Sequence, residues 1–218
     1  MKTKYDSAYE KCSSYFGSDP DDVLKKYYHL IKKGGNILDI GAGQGRNTLF
    51  LANSDYNVTA IDPSEKACEI LQKIAEAESP SINVFKTDFA EFSPEKDCKF
   101  SAILIFGVVQ ELEIEKINLL AAKVSDWLER GGLMFITAFT VDDPSFDNYA
   151  AVSESDERIV FIGDAGNVRS FFRMGGMSKL FDLYKSLHYK EFMGEMHKHG
   201  DGQAHKHGKM EGVFQKWF

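Results

Sequence analysis

The glycine-rich segment LDIGAGQGRN, residues 38–47, has a spacing that points to ligand binding. Its glycines at positions 41, 43 and 45 follow a short apolar run, which lets the backbone approach a ligand closely. Dinucleotide-binding loops instead have the spacing GxGxxG, and here Arg46 occupies the place of the third glycine. No GKS or GKT tripeptide follows, which argues against a P-loop. The segment therefore favours a ligand that lacks a pyrophosphate.

Acidic residues accompany the first three predicted strands. Asp39 lies in the first strand, Asp62 ends the second and Asp88 follows the third. An acid about 20 residues beyond such a loop binds ribose hydroxyls, and open α/β sheets bind ligands at the carboxyl ends of their strands. Each acid alone is equally consistent with a solvated strand end. Together they favour a cofactor with a ribose and no pyrophosphate, and S-adenosylmethionine is the common one.

Histidines are concentrated near the carboxyl terminus, where His197, His199, His205 and His207 form two HxH pairs. Residues at i and i+2 share one face of a strand. A hairpin symmetric about Gly202 would place His197 opposite His207 and His199 opposite His205, with all four imidazoles on one side. Such a group can bind a transition metal. A solvated hairpin tip, or a role in acceptor contact or proton transfer, remains an alternative.

Alternating strands and helices must position these residues. Apolar runs predict seven strands and, after the fifth, a late helix over residues 177–187. An earlier helix is predicted from Asp19-Pro20 to Ile31. The pattern indicates a single α/β domain over residues 1–218, with a doubly wound, Rossmann-like, mostly parallel seven-stranded sheet and a C-terminal antiparallel β-hairpin. Residues 1–35 would form a helical cap and residues 141–176 a lid-like insertion. The strands are predicted over residues 36–40, 58–61, 82–85, 100–106, 133–139, 188–196 and 209–217.

Bulk properties restrict the class of partner. The 218 residues carry a net charge of −7, which argues against nucleic acid as a partner. No apolar run is long enough to predict a membrane span, and the first residues lack the apolar core of a signal peptide. The three cysteines are widely spaced and read as free thiols. We therefore expect a cytoplasmic protein without a membrane or nucleic-acid partner; the oligomeric state is left open.

The segments ILDIGAGQGRNTLFLA, YNVTAIDPS and KTDFAEF resemble the class I S-adenosylmethionine-dependent methyltransferases. The GQGRN form, with YFGSDPDDVL upstream and GEMHKHGDGQ downstream, most resembles the tellurite-resistance-type and thiopurine-type small-molecule methyltransferases. FGVV stands where nucleic-acid amino-methyltransferases have a D/N-P-P-Y/F signature. The resemblance implies cofactor-binding roles for Asp39, Gly41, Gly43, Asp62, Pro63, Asp88, Phe89, Phe106 and Val108.

These features predict an enzyme that transfers a methyl group from S-adenosylmethionine to a small-molecule acceptor by in-line displacement. Such a reaction requires alignment and desolvation of the nucleophile, and an amine or hydroxyl also requires a base. Candidate catalytic residues are Glu111, His197 and His199, and the acceptor atom is left open among sulfur, selenium, tellurium, nitrogen and oxygen. Two alternatives remain: a methyltransferase acting on protein or RNA, and a metal-binding Rossmann-like protein that uses the His197–His207 cluster.

Overall fold

The computed structural model describes residues 3, 5–78, 81–148, 159–164 and 167–218, and a nine-stranded sheet forms the centre of the described fold. The strands are β1 (Asn36–Ile40), β2 (Asn57–Asp62), β3 (Ile82–Lys86), β4 (Phe100–Ile105), β5 (Leu128–Thr140), β6 (Ile159–Asp164), β7 (Asn167–Phe172), β8 (Lys185–Met193) and β9 (Gly208–Gln215). The helices are α1 (Asp6–Lys11), α2 (Asp22–Tyr27), α3 (Arg46–Ala52), α4 (Glu65–Glu78), α5 (Ile114–Trp127) and α6 (Gly176–Leu180).

The sheet is mostly parallel. Its strands lie in the order β3-β2-β1-β4-β5-β7-β6, and β9 pairs antiparallel with both β5 and β8. Strands β1 to β5 pair parallel with one another. The predicted fold class, a Rossmann-like α/β sheet with antiparallel C-terminal strands, is therefore confirmed. Because parallel strands end at the same edge, the loops after β1, β2, β3 and β4 meet there.

Two strands lie within the segment for which the sequence predicted only a lid-like insertion. β6 and β7 pair antiparallel, and β7 runs parallel to the end of β5. The sheet therefore has nine strands where seven were expected. The pattern of β7 is hard to recognise because its two buried phenylalanines, Phe171 and Phe172, are adjacent instead of alternating. Residues 149–158 and 165–166 of the insertion lie outside the described residues, and the lid stays a prediction.

The two predicted end helices are shorter in the structure. The prediction of a helix over residues 177–187 is wrong in its second half, because α6 ends at Leu180 and β8 begins at Lys185. Pairing of β8 with β9 overrides the helical pattern there. The helix expected from Asp19 begins instead at Asp22 and continues as a 3-10 helix over Tyr28–Leu30.

Helices cover both faces of the sheet. On one face, Leu120 and Val124 of α5 pack in a cluster with Ile103 and Met134 of the sheet. On the other face, helices α2 and α3 contribute buried leucines to a second cluster. Every residue of β4 is buried between the two layers, as expected for a central parallel strand. None of the described helices combines the length and the apolar character needed to cross a membrane.

Candidate functional site

A cavity of about 770 Å³ lies at the carboxyl edge of the parallel strands. This volume is typical of small-molecule sites. The cavity brings together all the candidate cofactor-binding residues predicted from the sequence: Asp39, Gly41, Gly43, Asp62, Pro63, Asp88, Phe89, Phe106 and Val108. The candidate catalytic and metal-binding side chains also line it: Glu111, His197, His199, His205 and His207. The predicted residues therefore share one cavity, while their individual roles stay predictions.

The glycine loop after β1 presents bare backbone to this cavity. Gly41 has a φ of +71°, and a Cβ atom there would lie 2.6 Å from Cγ2 of Val108. Gly45 has a φ of +92°, and a Cβ atom there would lie 2.3 Å from Cδ1 of Leu71 in α4. Both positions therefore require glycine, for the left-handed backbone and for close packing.

Asp62, at the end of β2, is held rigidly below the loop. Its Oδ2 accepts a hydrogen bond from the Gly43 amide at 2.8 Å, and its Oδ1 accepts one from the Ser64 amide at 2.8 Å. Burial raises the pKa of Asp62, and these two hydrogen bonds oppose the rise. Each carboxylate oxygen has more than one acceptor site, so the side chain retains the capacity to bind hydroxyl groups in the cavity.

Asp39 in β1 is almost completely buried, with 2 % of its surface exposed. Its Oδ2 accepts a hydrogen bond of 2.6 Å from Oγ1 of Thr48. Burial raises the pKa of Asp39 to about 7, despite the Thr48 bond, and the charge of Asp62 adds to the rise. A carboxyl group with so perturbed a pKa in a cavity is typical of a functional position.

Asp88 lies at the rim of the cavity, beyond the end of β3. Its Oδ1 accepts hydrogen bonds from the amides of Ala90 at 2.8 Å and Glu91 at 2.9 Å. These bonds fix the turn that follows β3 and place the neighbouring Phe89, which is 4 % exposed, beside the cavity. The carboxyl and the ring are thus ordered together at the third strand end.

Comparison with known protein sequences identifies a domain in the middle of the chain. Residues 37–132 match the family described as "Methyltransferase domain". The (S)-tetrahydroprotoberberine N-methyltransferase of Eschscholzia californica is 29 % identical over 142 residues, which cover 63 % of this chain and 39 % of the relative. The probable S-adenosyl-L-methionine-dependent methyltransferase TehB of Haemophilus influenzae (strain 10810) is 23 % identical over 202 residues, which cover 86 % of this chain and 63 % of TehB. The chain thus spans less than two thirds of each of these relatives.

Solved structures give the same fold. The crystal structure of TehB from Haemophilus influenzae superposes with a TM-score of 0.71 at 21 % identity, over 93 % of this chain and 64 % of that one. The 1,6-didemethyltoxoflavin-N1-methyltransferase of Burkholderia thailandensis, solved with S-adenosylhomocysteine, superposes with a TM-score of 0.64 at 17 % identity, over 87 % of this chain and 74 % of that one. The chain is a class I methyltransferase-fold protein. The family resemblance predicted from its sequence is confirmed.

In this methyltransferase-fold protein, the segment GQGRN fastens the N-terminal residues to the glycine loop. Oε1 of Gln44 accepts a hydrogen bond from the Tyr15 amide at 2.7 Å. Nη2 of Arg46 lies 2.5 Å from Oδ2 of Asp21, and Oδ1 of Asn47 accepts a hydrogen bond of 2.9 Å from the Asp21 amide. Arg46, at the cavity wall, therefore binds the N-terminal segment through Asp21, a role that its spacing did not reveal.

The first helix is attached to the same edge of the methyltransferase fold through Asp6. Oδ1 of Asp6 accepts a hydrogen bond of 2.6 Å from Oγ of Ser64, at the start of α4. Burial opposes ionisation of Asp6, but hydrogen bonds from Ser64 and Thr3 outweigh it and lower its pKa to about 2. The attachment brings the aromatic side chains Tyr5, Tyr9, Tyr15 and Phe16 into the cavity wall.

Glu111, a candidate base, is held by other side chains. Its carboxylate forms an ion pair with Arg169 of β7, and its Oε1 accepts a hydrogen bond of 3.1 Å from the hydroxyl of Tyr5. An acceptor would have to compete with the guanidinium for this carboxylate. Next to it, Gln110 is 7 % exposed, and its Oε1 is buried without a hydrogen-bond partner among the described residues.

The histidines converge on one side of the hairpin, but with a different pairing from the one predicted. His197 and His205 exchange two backbone hydrogen bonds of 2.8 Å, so His197 faces His205 and not His207. The hairpin is therefore not symmetric about Gly202, because its β-bridge centres one residue earlier. The four ring centroids nevertheless lie 4.7–6.3 Å apart.

One further residue beside the histidines was not predicted. Nδ1 of His207 lies 2.7 Å from Oδ2 of Asp143, which is only 3 % exposed, while the ring of Phe139 stacks on His207 with centroids 4.2 Å apart. Asp143 follows β5 in the segment VDDPS, and nothing in its local sequence indicates a partner 64 residues away.

Proposed function

We propose that the chain is a methyltransferase that binds S-adenosylmethionine and transfers its methyl group to a small molecule. The observation that carries the proposal is that the glycine loop and the acids of three successive strands, all within the matched methyltransferase domain, line a single cavity. The curated relatives named above are an N-methyltransferase and a probable S-adenosyl-L-methionine-dependent methyltransferase, which supports this class of reaction.

The residues present fit the cofactor. In the proposal, Asp62 binds the ribose hydroxyls, because its carboxylate is buried, ordered and open to the cavity. Asp88 and Phe89 contact the adenine, and the bare backbone at Gly41 and Gly43 accommodates the amino-acid tail. Pro63 lies beside Asp62, while Phe106 and Val108, just beyond β4, form the floor near the reacting centre. Asp39 lies buried behind the loop, where its bond with Thr48 of α3 fixes the end of β1 against the start of that helix.

S-adenosylmethionine, when bound, supplies a methyl group on a sulfonium whose departure leaves a neutral thioether. The protein then has to align the acceptor and exclude water. Tyr9, Tyr15 and Phe16 line the cavity, so we propose that residues 1–35 act as the cap of the site, while the lid over residues 141–176 stays a prediction. The buried contacts of Tyr9, which is 5 % exposed, support the cap.

In this proposal, neutral histidines form the part of the cavity wall that faces the methyl acceptor. Burial and, to a smaller extent, the neighbouring histidines lower the pKa of His199 to about 4, so the ring is uncharged at neutral pH. A ring with so low a pKa accepts a hydrogen bond but retains a proton poorly. We therefore propose that His197 and His199 orient the acceptor, and that Glu111 is a base only for an acceptor that displaces Arg169.

The net charge of −7 supports a small molecule over nucleic acid as the acceptor. Free thiols at Cys12, Cys68 and Cys98 support a cytoplasmic location, which we also propose.

Binding of S-adenosylhomocysteine tests the proposal directly. At 100 times its Kd, a ligand of the native state adds about 2.7 kcal/mol to the free energy of unfolding, so a clear rise in Tm is expected. Asp62→Ala should weaken binding about 10- to 100-fold, since a hydrogen bond to a charged group contributes about 1.5–3 kcal/mol. The matched control is Asp182→Ala, at an exposed acid away from the cavity. The absence of any ligand-dependent rise in Tm in the wild type would refute the proposal. An acceptor screen over thiols, amines, thiopurines, selenite and tellurite, with S-adenosylhomocysteine release as readout, then identifies the substrate.

A further inference from the structure

Three histidines at the hairpin tip have the arrangement of metal ligands. One ring nitrogen from each of His197, His205 and His207 lies within 4.8 Å of the others. All three side chains are half-buried and line the cavity wall. His199 lies beside them, but its ring packs against Phe16 with centroids 4.8 Å apart, so it belongs to the aromatic wall.

Hydrogen bonds fix the same tautomer in the three rings. Nδ1 of His197 lies 3.0 Å from the carbonyl oxygen of Glu195, and Nδ1 of His205 lies 2.9 Å from that of Gln203. Nδ1 of His207 faces the Asp143 carboxylate. Carbonyl and carboxylate oxygens only accept, so Nδ1 is the protonated nitrogen and Nε2 carries the lone pair in each neutral ring. Metal-binding histidines commonly have this second hydrogen bond, which orients the ring and fixes the tautomer.

Asp143 is itself rigidly held. Its Oδ2 accepts a hydrogen bond of 3.1 Å from the Gly208 amide, and its Oδ1 accepts one of 2.8 Å from the Ser145 amide. A Cβ atom at position 208 would lie 2.4 Å from the Asp143 amide nitrogen, so this close approach requires glycine. The ring of Phe139 stacks on the His207 ring. The carboxylate–histidine pair is therefore built into the junction of β5 and β9.

We propose that His197, His205 and His207 bind a divalent transition-metal ion of the zinc class through their Nε2 atoms, with Asp143 orienting His207. Imidazole suits zinc and its neighbours, and three histidines with one open position form a known type of catalytic zinc site. Zinc–nitrogen distances of about 2.0–2.1 Å place tetrahedral ligand nitrogens about 3.3 Å apart, so the rings move closer together on binding. The fourth position faces the cavity, where it would take water or a donor atom of the acceptor.

The metal site can be tested without the proposed function, since Zn²⁺ binding concerns the protein without cofactor or acceptor. With the ion bound, His197 would act on the acceptor through the open coordination position and not through its own ring nitrogen.

Calorimetric titration of Zn²⁺ into the full chain, purified without a histidine tag, tests the site. We expect one ion per chain in the wild type and no heat of binding with Mg²⁺, which prefers oxygen ligands. Asp143→Asn should weaken Zn²⁺ binding roughly 10- to 100-fold, because Asp143 only orients the ligand His207. His205→Ala, at the hairpin tip, should weaken binding by more than this, because it removes a ligand. The matched control is His29→Ala, which removes an exposed imidazole outside the cavity and should leave the affinity unchanged.

Circular dichroism of each variant confirms that the fold is retained, and His207→Ala provides a second ligand variant if Asp143→Asn unfolds. The visible absorption of bound Co²⁺ reports on coordination independently of affinity. Equal Zn²⁺ affinity in the wild type and His205→Ala, or the absence of Zn²⁺ binding in the wild type, would overturn the proposal.

Discussion

The buried carboxyl of Asp39 should make the stability of the protein depend on pH in an unusual direction. Its pKa is raised by burial to about 7, from an ordinary value of 3.8. Between these two pH values the folded chain holds a proton at Asp39 that the unfolded chain has lost. The free energy of unfolding contributed by this group therefore falls as pH rises from about 4 to 7, and the loss is complete above pH 7. Asp39→Asn, which cannot ionise, removes this dependence.

The magnitude follows from the size of the shift. A difference of about 3 pKa units at about 1.36 kcal/mol each means that ionisation of Asp39 lowers the free energy of unfolding by roughly 4 kcal/mol at pH 8. At pH 4.5 the free energy of unfolding is lowered by only about 1 kcal/mol for the same reason. The advantage of Asp39→Asn over the wild type should therefore grow by about 3 kcal/mol between these two pH values. The comparison across pH cancels any constant cost of the amide, whose oxygen can still accept the Thr48 hydrogen bond.

Urea denaturation at pH 4.5, 6 and 8 measures this change for the wild type and the variant. Asp182→Asn is the control, because this exposed acid should show a difference within about 0.5 kcal/mol at every pH. A stability difference between Asp39→Asn and the wild type that stays constant over this range would refute the reasoning, since it would mean that Asp39 titrates as in the unfolded chain.

Two further substitutions test how the glycine loop and the N-terminal segment are held. Gly45→Ala should lower the free energy of unfolding by about 2–5 kcal/mol, because the left-handed backbone and the Leu71 contact both disfavour a side chain. Gly17 has a φ of +84°, and a Cβ atom there would have no neighbour within 4 Å. Gly17→Ala therefore measures the backbone strain alone, with an expected loss of about 1–2 kcal/mol. Equal losses at the two glycines in chemical denaturation would contradict the packing argument. Asp21→Ala should lower the free energy of unfolding by about 1–2 kcal/mol and speed amide hydrogen exchange in residues 5–21 but not in β4. Asp22→Ala, the control at a side chain that is 92 % exposed, should change neither the stability nor the exchange rates. Uniformly faster exchange would show instead that Asp21 stabilises the whole fold.

The parallel half of the fold could be predicted because each strand there is a short apolar run between recognisable breaks. The run FSAILI of β4 contains no helical spacing and is buried on both faces, so pattern and structure agree. Beyond Thr140 the agreement is partial, because the C-terminal antiparallel pair was predicted, whereas β6, β7 and the start of β8 were not. β7 and β8 are fixed by the strands beside them, and a sequence read locally does not show that Lys185 will pair with Gln215.

The same distinction separates predicted from unpredicted site residues. Asp39, Asp62 and Asp88 could be recognised because topology alone brings strand ends to one edge. Gln44, Asp21 and Asp143 act through hydrogen bonds to residues 25 to 65 positions away, and such contacts leave no local pattern. The hairpin illustrates an intermediate case, because the HxH spacing predicted convergence, while the register depended on a bridge between His197 and His205.

The position of His199 links the two halves of the site. Its ring contacts Tyr15 and Phe16, with centroids 5.7 Å and 4.8 Å away, and Tyr15 is bound through its amide to Gln44 of the glycine loop. The loop, the N-terminal cover and the histidine hairpin therefore form a continuous chain of contacts around the cavity. A displacement of the N-terminal segment would remove the aromatic support of His199 and expose the cofactor side of the loop in one movement. Cofactor exchange and access to the histidine wall are for this reason expected to depend on the same segment, residues 5–21.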